Sequence, residues 1–138
     1  MKVENAVMPP MAQIAEFFGA PEDGPFVMVN LLKFKPKAEY EDGSDAHLTG
    51  AEAYARYGAE VSKLVEGLGG KIRYNGAVTG LLLGEVEELW DAVALAEYPS
   101  LAAFQAMAMS PQMHAIEHHR KAGLAGQLNI RTKPGAGF

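Results

Sequence analysis

The nine residues FVMVNLLKF, positions 26–34, limit what this chain can become more than any other stretch. The run is too short for most helices and is apolar at both parities, so it reads as a strand covered on both faces. The rest of the chain must therefore supply a layer on each side of it, or leave one face for another molecule.

The elements available are few. PPMAQIAEFF (9–18) reads as a short helix opened by proline, with Ile14, Phe17 and Phe18 on one side. A polar connection at 35–48 is longer than most loops in a compact domain. Thr49 and Glu52 then have capping-box spacing, opening a helix that gathers Tyr54, Tyr57, Val61, Leu64, Val65 and Leu68 on one face. Its other face carries Glu52, Arg56, Glu60, Lys63 and Glu66, and Gly69-Gly70 stops it.

KIRYNGAVTGLLLG (71–84) reads as a strand with Arg73, Asn75 and Thr79 on one parity. EVEE makes the turn, and LWDAVALAEYP (89–99) is the next strand. Ser100 opens a short helix, and Ser110-Pro111 opens another. QLNIRT (127–132) is the last strand, with Leu128 and Ile130 on one face, and KPGAGF is a frayed tail.

After the N-terminal helix the order is β-α-β-β-α-β. That is the ferredoxin-like α+β arrangement, an antiparallel four-stranded sheet with its helices on one face. The length suits a single domain over 1–138: a core from about 25 to 132, a helix and linker at 1–24, and a tail at 133–138. With the helices spent on one side, the economical cover for the other is a second copy of the chain, packed sheet to sheet about a two-fold axis.

Charge narrows the partners. Twelve Lys and Arg against seventeen Asp and Glu leave −5, which disfavours nucleic acid and anionic membranes. The absence of cysteine excludes a disulfide framework, a thiolate nucleophile and sulfur-ligated metals. MKVENAVMPP has no signal-peptide core, and no segment is long and apolar enough to span a bilayer, so a cytoplasmic protein is expected.

Three of the four histidines fall in HAIEHH, 114–119, and His114-Ala115-Ile116-Glu117-His118 spells the H-x-x-E-H of inverted zinc proteases. On a helical wheel, Met113 and Ile116 mark the buried direction, while His114, Glu117, His118 and Lys121 point to the opposite half. The pattern is therefore read as a solvated face, and no metal site is assigned.

Arg120 falls between Met113 and Ile116 and is directed at the sheet, with His119 on the flank. An inward cation needs partners. It either bridges Asp91, Glu97 or the end of a neighbouring helix, or it anchors a ligand's carboxylate or enolate beside His119. Asn30, mid-strand, must likewise be hydrogen-bonded, to a dimer partner or a ligand. Asp91 beside Trp90 is a surface aspartate or a general acid with a raised pKa. Tyr54 and Tyr57 are packing residues or pocket hydroxyls. His119 and Asp91 are thus the candidates for proton transfer. Asn30, Tyr54, Tyr57, Trp90 and Arg120 are the candidates for holding a ligand, and no cofactor is called for.

VMVNLLKF, GAEAYARYG, GGKIRYNGAVTGLLLG and LWDAVALAEYPSLAAFQAMAMSPQMHAIEHHRKAGL together resemble the family called domain of unknown function 1330, from about residue 25 to 132. The resemblance implies the dimeric α+β barrel superfamily, and with it a sheet-to-sheet homodimer. That superfamily includes cofactor-free monooxygenases, muconolactone-type isomerases, haem proteins and small stress-response proteins. The haem branches use a longer duplicated chain with a proximal histidine, which has no counterpart here. Relative to shorter members, this chain adds the N-terminal helix and the 35–48 loop, both placed to cover a pocket mouth.

Three readings stay open. One is a cofactor-free enzyme, isomerase or monooxygenase, acting on a small carboxylated or phenolic metabolite. The second is a non-catalytic ligand-binding or stress-associated protein. The third is an interaction module whose polar residues serve only the dimer.

Overall fold

The computed structural model describes residues 1–138. Its elements run α1 (Met11–Phe18), β1 (Phe26–Phe34), α2 (Gly50–Gly67), β2 (Lys71–Ala77), β3 (Ala92–Tyr98), α3 (Leu101–Ala108), α4 (Pro111–Gly123) and β4 (Leu124–Thr132). The strands form one antiparallel sheet in the order β2-β3-β1-β4. This is the ferredoxin-like arrangement expected from the sequence, with α1 as an N-terminal addition.

The caps are those the sequence specifies. Thr49 accepts from the Glu52 amide and Glu52 returns a bond to the Thr49 amide, which closes the capping box of α2. Ser100 and Ser110 cap α3 and α4, with Pro111 at the first turn of α4. Glu22, from the α1–β1 linker, accepts from the Leu101 and Ala102 amides. Those bonds hold its carboxyl below the usual range and tie the linker to α3.

The pairing register assigns each strand residue to a face. Phe26, Met28, Asn30 and Leu32 of β1 lie level with Tyr98, Ala96, Ala94 and Ala92 of β3. On the other side, Met28, Asn30 and Leu32 meet Arg131, Asn129 and Gln127 of β4. This face carries the core: Phe26, Met28, Ala96 and Tyr98 pack with Val65, Leu101, Met107 and Met113 from the helices. Phe17 and Phe18 of α1 join it, in edge contact with each other and with Phe104.

The opposite face holds two apolar rows, Leu95–Val29–Ile130 and Val93–Leu31–Leu128. No helix packs over them, and Ile130 is 44 % exposed.

Three expectations need correction. The second strand ends at Ala77 rather than running to 84, and 78–91 is irregular. The Val78 amide bonds the Asp91 carbonyl and closes the ladder; beyond it the chain has no strand to pair with, so Leu82 and Leu83 stand fully in solvent. Arg73 and Asn75 do not share a face, because a bulge between Ile72 and Tyr74 shifts the register. Arg73 therefore reaches Glu97 on the open face, at 2.7 Å, while Asn75 lies level with Ala94 on the helix side. Finally, β4 starts at Leu124, three residues earlier than expected, because α4 passes into it without a turn.

The 35–48 connection is tied to the helices by backbone bonds. Ala38 bonds Leu48, and Glu39 and Lys35 bond the carbonyls of Ala122 and Gly123. Its Ala38 packs with Ala53 and Ala122 between α2 and α4. There the start of α2 meets the end of α4 backbone to backbone. A methyl group on Gly50 would collide with the Lys35 and Gly123 carbonyl oxygens, and one on Gly123 with the Gly50 carbonyl. This contact sets where Tyr54 and Arg120 stand. No helix is long and apolar enough to cross a membrane.

Candidate functional site

Arg120 leaves α4 toward the sheet and is half-buried. Its Nη2 donates to Gln127 Oε1 at 2.6 Å and its Nη1 to the Val7 carbonyl at 2.7 Å. Gln127 is buried and passes the chain on, its Nε2 donating to Asn30 Oδ1 at 2.8 Å. Asn30 ends the series by donating to the Ala94 carbonyl at 3.2 Å. The guanidinium is thus met by an amide oxygen and a peptide oxygen, both neutral, and forms no ion pair.

The expected bridge from Arg120 to Asp91 or Glu97 is not made. Glu97 lies on the open face, level with Val27, and pairs with Arg73. Asp91 accepts from Lys33 Nζ at 3.2 Å and from the Phe34 amide at 2.9 Å, and its own amide extends the sheet bonding to Leu32. It serves to close the β1–β3 end of the sheet.

Two tyrosines of α2, Tyr54 and Tyr57, lie within reach of the same positive charge. Burial pushes both phenol pKa values up, and the Arg120 charge opposes the rise. The Tyr57 hydroxyl contacts Met113 Sδ at 3.8 Å, whereas no hydrogen bond contributes at Tyr54. Since every fully buried side-chain polar atom has a partner, the unpaired Tyr54 oxygen must touch accessible space. Aromatic rings extend from there: Phe34 lies 5.4 Å from Tyr54, and Tyr54 5.4 Å from Tyr57. The cluster therefore offers a cation, neutral hydroxyl donors and apolar walls, which suits an anionic head on an aromatic or apolar body.

An open groove of about 760 Å³ adjoins it, lined by Phe34, Gly126, Asn5, Lys33 and Asp91 among others. Trp90 reaches this side through Asn5, its Nε1 donating to Asn5 Oδ1 at 2.9 Å.

His119 is sequence neighbour to Arg120 but belongs elsewhere. Its Nδ1 lies 2.7 Å from the Tyr40 hydroxyl, on the 35–48 connection, and its ring is 3.9 Å from that of His118. Arg56 reaches the same Tyr40 oxygen at 3.4 Å and bonds Asp45 at 2.8 Å. Desolvation lowers the His119 pKa, with the charges of His118 and Arg56 adding to it. The connection therefore meets His119 rather than Arg120. His114 and His118 are exposed, as the wheel predicts.

Of the residues singled out in the sequence, Asn30 joins Arg120 through Gln127, and Tyr54 and Tyr57 lie within reach of its charge. Asp91 and, through Asn5, Trp90 belong to the groove side, and His119 faces Tyr40 instead. Gln127 and the Val7 carbonyl are the partners the sequence did not yield. Gln127 had a usable signal, because Leu128 and Ile130 on one face put it on the other, beside Asn30. The Val7 carbonyl had none, since any residue supplies one.

The sequence model for the domain of unknown function DUF1330 matches residues 44–132. The RPA0582 protein of unknown function from Rhodopseudomonas palustris is 38 % identical, and its crystal structure superposes with a TM-score of 0.84, over 95 % of this chain and 98 % of that one. The methylated RPA0582 protein matches at 39 % identity with the same TM-score and coverage. No curated protein matches the chain. With the family model spanning well over half of its residues, the chain belongs to the DUF1330 family.

Proposed function

We propose that this protein binds a small carboxylated or phenolic metabolite between its sheet and α2/α4, with Arg120 as the anion anchor. One observation carries the reading: a half-buried permanent cation whose only partners are neutral oxygens. Withdrawing a charge from water costs several kcal/mol unless it is well paired, and a ligand carboxylate is the partner that would neutralise it in a bidentate manner. Tyr54 would donate to the ligand's oxygen, and Phe34 and Tyr57 would flank its body.

Binding accounts for this cluster better than turnover does. Phenols held above their ordinary pKa by burial are donors, not bases, at neutral pH, and His119 is turned away. A second reading, a cofactor-free proton transfer, rests on the 2.7 Å contact of His119 with Tyr40 and on the lowered histidine pKa.

The working unit in this proposal is a cytoplasmic homodimer of one-domain chains, with no nucleic-acid or membrane partner. Two apolar rows on the open sheet face support the dimer, and the net charge of −5 argues against nucleic acid and anionic membranes as partners. Native mass spectrometry of gently purified protein tests the binding. A small acid retained by the wild type and missing from Arg120→Met is expected. Ligand retained equally by both would overturn the assignment of Arg120.

A further inference from the structure

One wall of the groove and one cap of the guanidinium come from the same short N-terminal segment. Asn5 lines the groove, Ala6 pairs with Gln127 through its amide at 3.3 Å, and the Val7 carbonyl takes Arg120 Nη1 at 2.7 Å. The N-terminal segment thus runs from the open groove to the cation. We infer that residues 5–7 are a displaceable strap: the Val7 carbonyl holds the place of a ligand carboxylate oxygen, and ligand entry requires the strap to lift. The inference rests on the small-carboxylate reading of the Arg120 cluster.

The ties of this strap are few. Beyond the Arg120 bond, Ala6 forms a single isolated bridge at the β4 edge and Asn5 accepts from Trp90. Residues 1–6 are exposed. Pro9 and Pro10 follow, and neither has an N–H to fasten that end to a neighbour. A neutral peptide oxygen is also a weaker partner for a guanidinium than a carboxylate, which makes a charge-assisted bidentate pair. Exchange of one for the other is therefore favourable, at the expense of the Ala6 and Asn5 bonds. Once the strap is away, Phe34 and Gly126 become the passage from the groove to Tyr54 and Arg120.

Gly126 offers the test, because a methyl group there would sit 2.6 Å from Asn5 Cβ and must push the strap aside. Binding of benzoate to the wild type, Gly126→Ala and Asn5→Ala is measured by calorimetry. Hydrogen exchange of the Ala6 amide reports whether the strap is seated. The two variants are expected to bind benzoate about five- to tenfold more tightly, because a pre-opened site no longer loses affinity to the closed population. In the wild type, benzoate should speed Ala6 exchange. Equal affinities in all three proteins, or an Ala6 amide protected by benzoate, would overturn the strap and leave the Arg120 site standing. No binding to any of the three would remove the small-carboxylate reading and the strap with it.

Discussion

Arg120 and Gln127 face each other across the junction of α4 and β4, guanidinium Nη2 to amide Oε1 at 2.6 Å, with no carboxylate in the arrangement. An inward-directed arginine answered by a neutral amide is held in place but not neutralised. The energetic consequence differs from that of a buried ion pair. Removing one partner of such a pair costs about 3–5 kcal/mol because a charge is left alone. Here Arg120→Met strands one amide oxygen and one peptide oxygen, and the latter can turn to water. Because the cost of withdrawing the cation from water is relieved as these bonds are lost, a change within about 1 kcal/mol is expected in urea unfolding. A loss at the ion-pair level would mean that the cation is neutralised within the fold.

Tyr54 separates binding from stability. Its hydroxyl forms no hydrogen bond, while its ring packs on Phe34 and Tyr57. Tyr54→Phe should change stability by less than about 0.5 kcal/mol, yet weaken benzoate binding about fivefold through loss of one donor. Calorimetry and urea unfolding of the same preparation check both halves.

His119 gives the fold a pH response. Its pKa is depressed in the folded protein, by desolvation first and then by His118 and Arg56, from an ordinary value of about 6.5. The unfolded chain therefore binds a proton at a pH where the folded chain does not. Stability contributed by the neutral imidazole is full above about 6.5 and falls as pH drops below it, until the folded-state pKa is passed. The melting temperature of the wild type should drop between pH 7.5 and 5.5 more than that of His119→Gln. Parallel curves would show that the Tyr40 contact does not depend on protonation.

The open sheet face predicts assembly. Leu95 and Val29 lie side by side in one of its apolar rows. Leu95→Lys should convert a dimer of about twice 14.8 kDa into a monomer by light scattering, with the helix-side core intact by near-ultraviolet circular dichroism. A wild type that is monomeric at micromolar concentration would contradict the sheet-to-sheet pairing.

The fold was legible because its signals are local and redundant. The capping box at Thr49 and Glu52, the serine caps at 100 and 110, and the double-sided run at 26–34 each fix an element without reference to the others. The departures came where a backbone decision outweighs side-chain pattern. The bulge at Arg73 reverses which face a residue serves, and the end of β2 is set by the length of the strand it must pair with.

The site was half legible for the same reason. The helical wheel aims Arg120 inward and Tyr54 and Tyr57 toward it, because those directions follow from 3.6-residue periodicity. Asp91 and His119 were misplaced in relation to them. A wheel gives direction but not which loop waits there, and Tyr40 and Lys33 decide both cases.

Thermal unfolding with and without millimolar benzoate tests most directly whether Arg120 anchors a small carboxylate. Ligand that binds only the native state must raise the melting temperature. A concentration-dependent rise is expected in the wild type and none in Arg120→Met, at matched pH and ionic strength. An equal rise in both proteins, or no rise in the wild type up to tens of millimolar, would contradict it.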